Sequence, residues 1–223
     1  MFAGHIGIAL AIGSVERRVN VGVFIGAALL LDFVLWLLIL LGWESVTIPA
    51  NFASTHQPDF VFPYSHSLLA SVLWSVLAGA LGYFLYPLGQ SAKRRAAVLV
   101  AAAVFSHWLL DALVHQPEMS LAGIKSPMVG FALWHNMPVA LVVEAALVVM
   151  GLYLFVPSSE WPRGKSIALT VLSLVLLVFT VAGMTVAPAP PSALAMAGSS
   201  LGTVVAVCAL FCWLGRRPRE RQA

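Results

Sequence analysis

Charge is what this sequence has least of. Asp, Glu, Lys and Arg together make up 9% of its 223 residues, against about 25% in soluble domains. So little charge excludes an ordinary water-facing surface. The net charge of +3 is no nucleic-acid footprint either, because the basic residues sit at the ends of apolar runs; no nucleic-acid partner is expected. Cysteine is nearly absent. Cys208 and Cys212 lie on one helix face, too far apart to bridge comfortably, which excludes a disulfide scaffold and leaves them as small packing residues. There is no internal repeat, no low-complexity tract and no soluble appendage. The first apolar stretch, Met1 to Gly13, lacks the flanks of a secretory signal, so Met1 is read as part of the mature protein.

What is present is hydrophobic sequence, at 61%, in runs of about 20 residues, the length that crosses roughly 30 Å of hydrocarbon. The expected fold is an all-α, polytopic transmembrane bundle over residues 1–223, a single integral membrane domain with the lipid bilayer as its environment. About six spans are predicted, over Asn20–Trp43, Tyr64–Tyr86, Ala96–His115, Leu133–Val156, Ser166–Ala187 and Met196–Gly215. A short N-terminal half-helix precedes them. Gly198, Ser199, Ser200 and Gly202 suggest close helix packing at the last span.

Every second loop is basic. Arg17 and Arg18, then Lys93 to Arg95, then Arg163 and Lys165, then Arg216, Arg217, Arg219 and Arg221 mark one side. By the positive-inside rule these loops and the C-terminus are cytoplasmic, in a multi-pass protein of a bacterial inner membrane. Trp43, Trp134 and Trp161 fall at interfaces, as aromatic belts do.

Against this background the ionisable residues inside the spans carry the functional signal. There are three carboxylates, Asp32, Asp111 and Glu144, and no interior Lys or Arg. A carboxylate in hydrocarbon must be protonated, paired or wetted. His107, Asp111 and His115 recur every four residues, on one helix stripe. His66 opens the second span. His5 and Asp32 flank the Arg17–Arg18 turn, and at about 1.5 Å per residue both reach roughly 18–21 Å from it. The polar groups therefore collect in the outer half of the bundle. Imidazole and carboxylate suit zinc and related divalent ions. The expected ligands are His66, His107 and Asp111, followed by His5 and Asp32. Asp32 and Glu144 are the candidate catalytic carboxylates, and Glu144 is equally a ligand or a support for one. His56 and His135 read as solvated, and His115 as structural or functional alike.

Four stretches carry a family resemblance: Gly4-His5-Ile6-Gly7, Leu29-Leu30-Leu31-Asp32, Ser65-His66-Ser67-Leu68, and Ser106-His107 through Asp111. Over roughly its first half the chain resembles the YdjM-like predicted membrane-bound metal-dependent hydrolases of bacterial inner membranes. It is more similar to an uncharacterised branch with Pro-Tyr-Ser-His-Ser-Leu, here Pro63 to Leu68, and a Leu-Trp followed by a buried Glu, here Leu133-Trp134 and Glu144. The family's Pro before the Asp is Leu31 here, a second Asp is replaced by Val34, and a His-Arg-Gly by Val61-Phe62-Pro63. Two of the family's candidate ligands are thus missing here. The resemblance implies a hydrolase.

Three functions compete at this level. One is a metal-dependent hydrolase of a lipid or lipid-linked ester or phosphoester. Another is a proton-coupled permease using the intramembrane carboxylates. The third is a structural membrane protein whose buried acids fix helix packing.

Overall fold

The computed structural model describes residues 1–216. Arg217, Arg219 and Arg221, expected on the basic face, lie outside them. The chain is all-α. Its helices are α1 (Phe2–Val15), α2 (Val21–Ala28), α3 (Leu30–Leu40), α4 (Phe52–Thr55), α5 (Leu68–Leu85), α6 (Gln90–Val114), α7 (Met137–Ser158), α8 (Arg163–Thr185) and α9 (Ala193–Leu214). Two small antiparallel pairs sit in the loops: β1 (Ser45–Thr47) with β2 (Asp59–Val61), and β3 (Met119–Ser120) with β4 (Met128–Val129).

Five helices, α5 to α9, are long and apolar enough to cross a membrane, and α2 with α3 makes a sixth span if the bent pair is one. At 14 residues, α1 extends only about 21 Å, too short to span, as expected of the half-helix. Asn20–Trp43 was expected as one continuous span. It is two helices meeting at Leu29 with a bend of 50°. The bend falls where a side chain from another helix enters: His107 Nδ1 lies 2.6 Å from the carbonyl of Ala28. Side-chain insertion at the ladder is a common cause of a sharp kink.

Small residues decide which helices touch. A Cβ on Gly7 of α1 would lie 2.4 Å from the Leu147 carbonyl oxygen, and one on Gly151 of α7 would lie 2.2 Å from the Gly7 carbonyl oxygen. α1 and α7 therefore meet backbone to backbone, the geometry that small residues permit between apolar helices. On α2, a Cβ at Gly22 would lie 2.4 Å from the Cys212 nitrogen, so Cys212 packs against α2 as a small residue. Among the described residues the close packing expected at Gly198 and Gly202 is absent, since a Cβ at either would meet nothing within 4 Å. The small residues that clamp helices are elsewhere, while Ser199 and Ser200 line a cavity.

The basic face is tied by carboxylates. Glu16 is buried, and its Oε2 lies 2.6 Å from Arg18 and 3.6 Å from Arg95. The Arg18 hydrogen bonds hold Glu16 below the ordinary carboxylate range. Arg95 also donates to the Val15 carbonyl, joining the end of α1 to α6.

Candidate metal centre

Four segments converge at the end of the bundle opposite the basic face. α6 presents His107 and Asp111 one turn apart. His66 lies just before α5, whose N-terminus is capped by Ser67 Oγ accepting from the Ala70 N–H at 3.1 Å. α1 contributes His5 from its second turn, and α3 contributes Asp32 from its first. His5, His66, His107 and Asp111 are buried, while the Asp32 side chain keeps 20% of its exposure.

The inner triangle is tight. His66 Nε2 and His107 Nε2 are 3.1 Å apart. Asp111 Oδ2 lies 3.0 Å from His107 Nε2 and 3.4 Å from His66 Nε2. Asp32 Oδ1 stands further off, 3.7 Å from His107 and 3.9 Å from His66. For comparison, zinc–ligand bonds of about 2.0–2.1 Å in a tetrahedron give a ligand–ligand edge of roughly 3.3–3.4 Å. The triangle matches that face closely. Two groups present ligand atoms all within 4.8 Å of one another: His66, His107 and Asp111; and His5, Asp32 and His107.

The hydrogen bonds around the triangle decide which ring nitrogens carry protons. The Ala28 carbonyl can only accept, so His107 carries its proton on Nδ1 and donates it there at 2.6 Å. His66 is set by a longer chain. Glu44, buried in the loop after α3, accepts from the N–H of Tyr64 at 2.8 Å, the N–H of Ser65 at 2.9 Å and the hydroxyl of Ser65 at 2.7 Å. Burial pushes the Glu44 carboxyl up, and the Ser65 and Tyr64 donors offset only part of this. With its one proton given to Glu44, Ser65 Oγ accepts from His66 Nδ1 at 2.8 Å. Both imidazoles are thereby turned with Nε2 lone pairs inward. Two lone pairs and a carboxylate oxygen at these separations repel unless a cation lies among them.

A test of this chain of bonds is Glu44→Gln. The amide would donate to Ser65 Oγ, the serine would donate to His66 Nδ1, and His66 would carry its proton on the inward Nε2. Metal affinity, titrated against a competing chelator, should fall about 10- to 100-fold with the helical content unchanged. Unaltered affinity would exclude this orienting role.

His5 completes the lower side. Its ring stacks on His107, with centroids 3.8 Å apart and 8° between planes, and its Nε2 lies 3.1 Å from Asp111 Oδ1. The amino group of Met1 also reaches Asp111 Oδ1 at 3.1 Å. Among the described residues His5 Nδ1 is buried without a hydrogen-bond partner, an orphaned ring nitrogen of the kind that a ligand satisfies.

All five residues expected as ligands, His5, Asp32, His66, His107 and Asp111, thus stand together. Glu144 is near but employed differently. Its Oε2 accepts from the Gly4 N–H at 2.6 Å, at the start of α1, and it also lines the adjoining cavity. His115 stands at the edge of the cluster: Nδ1 is 2.6 Å from Glu118 Oε1, and Nε2 is 3.9 Å from Asp111. Sequence reasoning missed Glu44 and Glu118 as partners of site histidines. Both lie in loops, and only the folded contacts bring them inward. His56 follows α4 and His135 lies in the 3-10 turn Leu133–Asn136 ahead of α7; both line a pocket among the loops.

Together the fold and the site define a class: a polytopic helical membrane protein with a buried histidine–carboxylate cluster able to hold a metal ion. Comparison with known protein families, with curated proteins and with solved structures yields no match.

Proposed function

We propose that this chain is a membrane-embedded, zinc-dependent hydrolase related to the YdjM-like group, acting on a lipid or lipid-linked ester or phosphoester. Its centre lies in the outer half of a bacterial inner membrane, with the basic face in the cytoplasm. One observation carries the reading: the His66–His107–Asp111 triangle, with edges of 3.0–3.4 Å and both imidazoles turned inward by Ala28 and Ser65. Nitrogen and oxygen donors in that arrangement suit zinc. A zinc ion held there would polarise the scissile ester and activate water near neutral pH.

The rest of the chemistry falls to the chain. Asp32, the most exposed member of the cluster, faces the adjoining cavity. It is placed to take the proton of an attacking water and return it to the leaving oxygen. Glu144 holds the start of α1 and with it His5. The test is turnover by the zinc-loaded protein on ester and phosphoester lipids. Asp32→Asn should lower kcat by about 10²- to 10⁴-fold with bound zinc retained. Hydrolysis of none of these lipids by protein of full zinc content would overturn the reading.

A proton-coupled permease is the second reading, favoured by the bent α2–α3 pair beside Asp32. Broken helices commonly build transporter sites, though typically in pairs; among the described residues there is one such pair of segments. A proton shared by His66 and His107 would satisfy the same lone pairs. Metal-free protein that carries pH-driven flux in liposomes would decide for it.

A further inference from the structure

Two cavities of opposite character meet beside the cluster. One, of about 510 Å³, runs from Asp32, His66 and Asp111 to the facing sides of α8 and α9. Its far wall is apolar or small: Phe179 and Gly183 from α8, and Met196, Ser200 and Val204 from α9. The hydroxyl of Thr203, also on this wall, is already spent on its own helix, donating to the Ser199 carbonyl at 2.9 Å. The second cavity, of about 790 Å³, is a polar vestibule among the loops at the same end. It presents the amides of Asn51, Gln57 and Gln116 and the carboxylates of Asp59 and Glu118. Among the described residues, no Lys or Arg lines it.

The two cavities adjoin. His56, Pro58, Trp134 and Met184 line both. Gln57 Nε2 donates to the Trp134 carbonyl at 3.0 Å, which ties the loop to the start of α7. Each volume lies within the range of about 300–1,000 Å³ found for small-molecule sites. An apolar chamber between membrane-spanning helices, lined in part by the His–Asp cluster, and a polar chamber adjoining it together describe an amphiphile.

We propose that the substrate is a carboxylic ester joining an apolar chain to an uncharged, hydroxyl-rich headgroup. The chain lies between α8 and α9, the ester at the His–Asp cluster and the headgroup in the vestibule. This rests on the hydrolase reading above and narrows it. The headgroup follows from the vestibule's chemistry. Amides and carboxylates donate to and accept from hydroxyls, whereas an anionic phosphate would face Asp59 and Glu118 with no Lys or Arg to pair with, only the imidazoles of His56 and His135. Hydrolysis adds water across the acyl C–O bond. The water oxygen goes to the acyl carbon and its proton to the departing alcohol, which leaves a fatty acid in the chamber and the polyol in the vestibule.

The test measures binding and zinc separately. Full-length protein in amphipol, zinc-loaded and metal-free, is presented with monododecanoylglycerol or with dodecyl phosphate, and retained lipid is read by native mass spectrometry. The metal-free form should retain the glycerol ester at least tenfold better than the phosphate. Gly183→Phe introduces bulk on the wall of the chamber where a Cβ meets nothing within 4 Å. It should abolish that retention and leave zinc content unchanged, and Ser200→Trp should do the same from α9. Gln116→Lys, in the vestibule, should shift preference toward dodecyl phosphate. Equal retention by both chamber variants, or preference of the parent for the phosphate, would overturn the proposal. Loss of zinc binding by the parent would instead strike the hydrolase reading and leave the lipid measurement interpretable.

Discussion

Protein carrying Asp111→Ala together with His107→Ala is expected to purify with essentially no zinc, whereas the parent carries about one equivalent. Asp111 is the hub of the centre. Its Oδ2 closes the triangle with His107 and His66, and its Oδ1 takes the His5 ring and the Met1 amino group, each at 3.1 Å. Changing a residue that only orients a ligand costs about 10- to 100-fold in metal affinity, so removing two ligands costs more than either limit. The double variant also removes a buried carboxylate that needs compensation. Insertion should therefore survive, with helical content and detergent elution matching the parent. No zinc in either protein after reloading would move the centre to a shared proton, and with it the function to a permease or a structural role. Equal zinc in both would place the metal away from α6.

Gly151→Val is expected to destabilise the bundle and weaken zinc binding about 10- to 100-fold without touching the His66–His107–Asp111 triangle. Its Cβ would stand 2.2 Å from the carbonyl oxygen of Gly7, a separation that no side-chain rotation relieves because both partners are helix backbone. Overpacking in a well-packed interior typically costs about 1–3 kcal/mol, and a backbone clash of this depth belongs above that range. α1 would be driven off α7, carrying His5 from His107 and withdrawing the Gly4 N–H from Glu144. Gly202→Val serves as the control. A Cβ there meets nothing within 4 Å, so its effect on stability should stay within about 0.5 kcal/mol. The measurements are the thermal midpoint in detergent and the zinc content. A Gly151→Val protein that unfolds at the parent temperature with full zinc would show that α1 is not clamped there.

The candidate cluster was legible to an unusual degree. Each of His5, Asp32, His66, His107 and Asp111 stands out because ionisable groups are so rare in these apolar runs. The turn at Arg17 and Arg18 already equates the depths of His5 and Asp32, since helical rise converts residue count into distance. Glu144 stood out by the same rarity, yet its carboxylate is taken up by the start of α1. Glu44 did not stand out, because a carboxylate in a loop beside the membrane is ordinary. Its three hydrogen bonds to Tyr64 and Ser65 exist only once the loop folds back over α5.

Composition and period alone determine that the chain is a helical membrane bundle with a short first helix, and that its polar groups gather away from the basic face. Hydrocarbon forces this reading, since each backbone must satisfy itself within its own helix and each buried charge must find a partner. Tertiary structure alone decides the rest. It breaks the first long span at Leu29, where the His107 side chain reaches the Ala28 carbonyl. It selects Gly7, Gly22 and Gly151 as the close contacts and leaves Gly198 and Gly202 open. It also turns two imidazoles inward through Ala28 and Ser65. The reason is common to all three: hydropathy depends only on a residue's own chemistry, whereas a contact depends on which other helix stands within a few ångströms.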